Sequence, residues 1–179
     1  MSVPRHHAEW LSLVEVQGAF LSIEELLKVF PQGLDAHEPE HFNSLKIAYD
    51  EWEYEKFNPE IHRAWIDWVL QNTLEFPADL LRQQIAPALT VKVAQYGESL
   101  SPDVVLVEPD TGKPQLLIQV VPFDQGLEKS YKKSCWTASP ATRMLELLRG
   151  TSISLGLLTN GEQWMLVYAP PGQSSSFIS

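Results

Sequence analysis

The chain has 179 residues and a mass of 20.3 kDa, 44% hydrophobic and 20% charged, and its 13 bases against 23 acids give a formal charge of −10. A chain of this size can bury about two-thirds of its unfolded surface, which argues against disorder and against any need for covalent staples. Its single cysteine, Cys135, excludes an intramolecular disulfide; no apolar run approaches the roughly 20 residues that span a bilayer, and a cytoplasmic location is expected.

Ser22 followed by Glu25 reads as a capping box, and the short helix it opens should stop by Pro31. Pro39 suits a first helical position, and Leu45, Ala48, Tyr49, Trp52 and Lys56 recur at helical spacing up to Asn58. Asn58-Pro59 then caps and opens a helix through about Thr73, with Ile61, Trp65, Trp68 and Val69 as its apolar stripe. Beyond residue 89 the period changes. Residues 90–94 have strand character, and 103–108 and 116–121 are branched apolar runs joined by the turn Pro109-Asp110-Thr111-Gly112. Ser139-Pro140 caps a helix to Arg149 with Gly150 closing it, and 153–158 and 163–168 flank Asn160-Gly161, a type I′ hairpin signal.

This order predicts an α/β fold, a mixed sheet covered by helices, because the apolar runs at 104–107 and 116–121 read as strands buried on both faces. Three segments are expected: helical residues 1–89, an α/β core at 90–169, and a flexible Pro-, Gly- and Ser-rich tail at 170–179 leading into further chain.

The charge is unevenly placed. Residues 1–89 carry net −9 and residues 90–179 net −1, while Lys129, Lys132, Lys133, Arg143 and Arg149 make 128–149 net +3. Overall acidity argues against a free-standing nonspecific nucleic-acid binder, yet this segment suits a local anion such as a DNA backbone, or simply solubilises a loop. Arg143 could equally pair with Glu146 or Glu128. His37 and His41 are spaced for a metal pair if both are helical, but Glu38 and Glu40 are more natural as first-turn acids, and no metal is assigned to them. The tryptophans sit at core spacing. Gly112, Gly150 and Gly161 end separate elements and form no phosphate loop.

Asp103 follows Pro102 and opens a strand, and Gln119 and Val121 lie two apart on the next, so both point to one face that a hairpin can bring beside Asp103. A metal-dependent phosphodiesterase uses such a placement, with carboxylates holding a divalent cation and a lysine beside the phosphate. The alternative at Asp103 is a carboxylate that accepts backbone hydrogen bonds after a proline turn.

Pro102-Asp103, the turn Asp110-Thr111-Gly112 and Leu116-Leu-Ile-Gln-Val120 resemble the restriction-endonuclease-like PD-(D/E)xK motif. The later SPATRMLELL, LGLLTNGEQWML and YAPPG are similar to the N-terminal nuclease-like region of large adenine-specific DNA methyltransferases of restriction-modification and phage-defence systems: Eco57I-like, type IIG, type ISP and, nearest, the DISARM methylase. The resemblance implies a restriction-endonuclease-like sheet, a metal-binding role for Asp103, and an acid and a lysine where this chain has Gln119 and Val121. A glutamine carbonyl can still ligate a metal; valine cannot stabilise phosphoryl charge.

The resemblance therefore implies a degenerate, noncatalytic nuclease-like domain that contacts DNA or docks within an assembly. The first alternative is an active Mg2+-dependent endonuclease with a migrated base, Lys92, Lys129 or Arg143, and an added carboxylate, Glu60 or Glu75. The second is an interaction domain that never meets DNA. Residues 1–179 contain no glycine-rich cofactor loop and no NPPY-like motif, so S-adenosylmethionine and methyl transfer are expected only in further chain, the rest of the methyltransferase being the expected partner.

Overall fold

A computed structural model describes residues 5–18, 22–34, 38–132 and 135–179. The chain runs α1 (Arg5–Leu11), β1 (Val16–Gln17), α2 (Ile23–Val29), α3 (Pro39–Glu55) and α4 (Pro59–Trp68), which continues as a π turn, Val69–Thr73. Then come β2 (Leu81–Arg82), β3 (Val91–Val93), β4 (Glu98–Leu100), β5 (Val104–Val107), β6 (Pro114–Val120), α5 (Pro140–Thr151), β7 (Leu155–Thr159), β8 (Trp164–Tyr168) and β9 (Ser176–Ile178).

Helices flank a mixed sheet in the order β1-β9-β8-β7-β6-β5-β2. Its neighbours pair antiparallel except β6 and β7, which are parallel and joined through α5. The central runs are covered on both sides, as expected of near-continuous apolar strands. Val105, Leu117, Val121 and Leu158 pack with Met144, Leu147 and Leu148 of α5. On the opposite face Val104, Ile118 and Leu157 pack with Trp52, Trp65, Ile66 and Leu70 of the α3–α4 layer. Each such aliphatic side chain contributes about 1.5–3 kcal/mol by leaving water.

The helix starts follow local capping. Ser22 accepts from the Glu25 N–H, Asn58 from Glu60 and Ser139 from Thr142, and proline is the first residue of α3, α4 and α5. Among the described residues no helix is long and apolar enough to cross a membrane.

Several expectations need correction. Gly150 does not close α5, which runs to Thr151 with Ser152 in the left-handed conformation behind it. Gly150 is instead a packing position, since a Cβ there would lie 2.5 Å from Cγ2 of Val91. Residues 91–93 form a strand, but it pairs only with β4, in a small separate sheet. β7 and β8 do form a hairpin, yet not through a type I′ turn: Gly161 has φ +89° while Asn160 has no positive φ. The Asn160 side chain builds the turn, its Oδ1 accepting from the Glu162 and Gln163 N–H groups. The tail expected to be flexible holds β9, which pairs with β8 and with β1. The helical segment 1–89 likewise supplies β1 and β2, the two edges of the large sheet.

Candidate functional site

Asp103 immediately precedes β5. Its N–H donates to the Ile118 carbonyl at 2.9 Å, and its carboxylate accepts the Val120 N–H at 2.8 Å, tying the start of β5 to the end of β6. That carboxylate borders a cavity of about 500 Å³ whose wall includes Lys56, His62, Arg63, Phe123 and Asp124. Burial raises the Asp103 pKa above the ordinary carboxylate range; the Val120 hydrogen bond and the Arg63 charge act the other way and are smaller. The residue as a whole still reaches solvent, so the desolvation falls on a carboxyl laid against the strand end rather than on an interior group.

The cations of this cavity come from the α3–α4 corner. Lys56, at the end of α3, places Nζ 4.3 Å from the centre of the Phe123 ring, a cation–π contact. Arg63, on α4, holds Asp67 one turn later, with Nε 3.3 Å from a carboxylate oxygen. His62 is fixed from both sides: the Trp52 indole N–H donates to Nδ1 at 3.1 Å, and Nε2 lies 3.2 Å from the Val121 carbonyl. Indole nitrogen only donates, so the network assigns the Nε2–H tautomer, which donates to Val121.

Gln119 and Val121 do not share this cavity as side chains. Val121 reaches it through its backbone, while its side chain is buried in the cluster packed on α5. Gln119 is absent from the cavity wall, and its Oε1 is buried without a hydrogen-bond partner. By strand alternation Gln119 points with Leu117 and Val121 toward the α5 face, and the β5–β6 register, in which Val104 lies opposite Ile118, continues to Asp103 opposite Gln119. Asp103 and Gln119 thus lie across from each other at the strand end, while the Val121 side chain is packed into the α5 cluster and the Val120 amide bonds the Asp103 carboxylate.

The proposed migrated groups are elsewhere. Lys92 is exposed on β3, Lys129 borders a different cavity with Glu15 and Glu162, Glu60 is exposed in the first turn of α4, and Glu75 lies beyond the π turn near His41. Arg143 pairs with neither Glu146 nor Glu128. It bonds Glu98 at 2.6 Å and the Trp136 carbonyl at 2.6 Å, and lies over the Tyr131 and Trp136 rings. That packing ties β4 to α5 and removes Arg143 as a free phosphate contact. Arg149 pairs with Glu146 at 3.2 Å, and Lys129 and Lys132 are exposed; Lys133 and His37 lie outside the described residues.

Mg2+ prefers six oxygen ligands in octahedral geometry. Asp103, with one oxygen taken by an amide and a lysine and an arginine in the same cavity, does not fit that demand. Among the described residues, no group of three or more His, Cys, Asp or Glu could hold a metal ion.

Lys56, His62, Arg63 and Asp124 were not singled out from sequence. Their one local signal is the Asn58-Pro59 cap, which fixes the phase of α4 and puts His62 and Arg63 one turn inside it. No protein-family model matches the chain, and no curated protein matches it.

Proposed function

We propose that this chain is a degenerate, noncatalytic nuclease-like domain of a DNA-modifying adenine methyltransferase from a restriction or phage-defence system. Its role is DNA contact or docking within the assembly. The observation that carries this reading is the bond between the Asp103 carboxylate and the Val120 amide, flanked by Gln119 and Val121. A carboxylate bonded at this strand position supports the reading, since the second half of the motif that residues 102–121 resemble would stand there. Burial of the Val121 side chain in the α5 cluster supports loss of catalysis, since an amine there would need to leave an apolar core to reach a phosphate. The parallel β6-α5-β7 unit beside the β5–β6 hairpin agrees with a restriction-endonuclease-like core.

Lys56 and Arg63 favour a second reading, in which they rather than Lys92, Lys129 or Arg143 replace the missing lysine of an active endonuclease. One assay separates the two. Supercoiled and linear DNA are incubated with the chain, Asp103→Ala and Lys56→Ala in Mg2+ or Mn2+, beside a binding titration. The noncatalytic reading expects binding without cleavage; metal-dependent cutting lost in Asp103→Ala establishes the endonuclease, and absence of DNA binding at low salt leaves docking alone.

A further inference from the structure

The groove between α3 and α4 lies away from Asp103. It has a volume of about 710 Å³, and its apolar floor is built from Trp52, Trp65 and Trp68. Trp65 stacks on Trp52 at 5.6 Å and 21°, and on Trp68 at 6.1 Å and 7°. Its rim is acidic: Asp50, Glu51 and Glu55 border the groove, with Tyr54 89% exposed beside them.

The rim carboxylates are unpaired and clustered beside an apolar floor. Among the described residues none of the three carboxylates has an ion-pair partner, as holds for most acids of this chain. They stand in the C-terminal half of α3, Asp50 and Glu51 one turn before Glu55. The last turn of α3 carries Glu53 and Glu55 and no basic residue, and Lys56 follows as its C-cap with its ammonium over the Phe123 ring. The negative charge here reaches Tyr49, whose hydroxyl pKa is raised by burial and then by Glu53, Glu162 and Asp50. On the outer face, Ile47, Asp50, Glu51 and Tyr54 follow one another at helical spacing, with Ile47 61% exposed.

We propose that the α3–α4 groove docks a cationic amphipathic segment of a partner protein, its apolar side chains on the tryptophan floor and its Lys or Arg side chains on Asp50, Glu51 and Glu55. The apolar floor alone would accept many occupants; the unpaired acidic rim selects a basic one. This rests on the docking half of the function proposed above and is independent of its nuclease ancestry.

The test uses the full chain and a fluorescently labelled 14-residue helix of leucine and lysine, with leucine at i, i+3, i+4 and i+7. Its glutamate counterpart and a double-stranded DNA oligonucleotide serve as controls. We expect saturable binding of the lysine peptide that weakens with salt, at least about tenfold weaker binding in Asp50→Asn/Glu51→Gln/Glu55→Gln, and no binding of the glutamate peptide. Because neutralising three clustered acids in a chain of net charge −10 relieves like-charge repulsion, the triple variant should melt at or above the parent temperature, so lost binding will not reflect lost fold.

Equal binding of both peptides, or of parent and triple variant, overturns the proposal. So does a dimer of the parent chain in light scattering that the triple variant abolishes, since the occupant is then a second copy. DNA binding unchanged in the triple variant keeps this result separate from the DNA-contact reading, and loss of DNA binding in it would overturn the assignment of the groove to a protein segment.

Discussion

The Trp52 indole donates to His62 Nδ1 at 3.1 Å, and this bond sets what the far side of the imidazole does: Nε2 carries the proton and reaches the Val121 carbonyl. One buried side chain thereby joins α3, α4 and the residue that follows β6. His62→Ala strands an indole donor and a backbone acceptor and leaves a void, so we expect a loss of about 2–4 kcal/mol, read from the urea midpoint. A loss below about 0.5 kcal/mol would mean that water replaces the ring.

Asp103 gives a pH signature. Its pKa in the fold is raised, so the folded chain binds its proton more tightly than the unfolded chain. The resulting stability is present below the ordinary carboxylate range and is lost as pH rises through the raised value. Asp103→Asn keeps an oxygen for the Val120 amide without the desolvated charge. It should be at least as stable as the parent at pH 7, with the difference closing as pH falls through the ordinary range. Denaturation at several pH values checks the sign; a variant gap that widens on acidification refutes it.

Gly150→Ala should destabilise although alanine is the better helix former by about 1 kcal/mol. The new Cβ would meet Val91 Cγ2 at 2.5 Å, and a β-branched side chain has few ways to yield. A net loss of about 1–2 kcal/mol is expected in thermal melts, largely recovered in Gly150→Ala/Val91→Ala.

Val121→Lys, which writes in the lysine of the motif that residues 102–121 resemble, should damage the fold. The side chain is 4% exposed in an apolar cluster, so the ammonium must be buried or must pull the strand end open. We expect a loss of about 3 kcal/mol or more with no gain of cleavage. Metal-dependent cutting by a stable Val121→Lys protein would show that position 121 can face the cavity after all.

What the sequence made legible was local. Ser22, Asn58 and Ser139 announce their helices because a cap needs only its next three residues, and the runs at 104–107 and 116–121 announce buried strands because their apolar pattern is unbroken. Gly150 misled because its role depends on Val91, nearly 60 residues earlier in sequence. Asn160 misled because its amide also donates to the Phe123 and Gln125 carbonyls, contacts that no turn rule contains. The candidate site was half legible: the Asp103 position follows from strand pattern, whereas the approach of Lys56 and Arg63 depends on how α3 and α4 cross the sheet. β1, β2 and β9 are only two or three residues long and exist through their partners.

Those short strands bear on how the molecule can be divided. β1 covers the outer side of β9 and β2 the outer side of β5, so the first 89 residues seal both margins of a sheet whose centre comes from the second half. Cutting at residue 89 would leave two open backbone ladders on a hydrophobic slab, a template for chain-to-chain stacking. The acidic leading half is thus a sealant for the folded body, and a shortened version would be expected to precipitate before its chemistry could be tested.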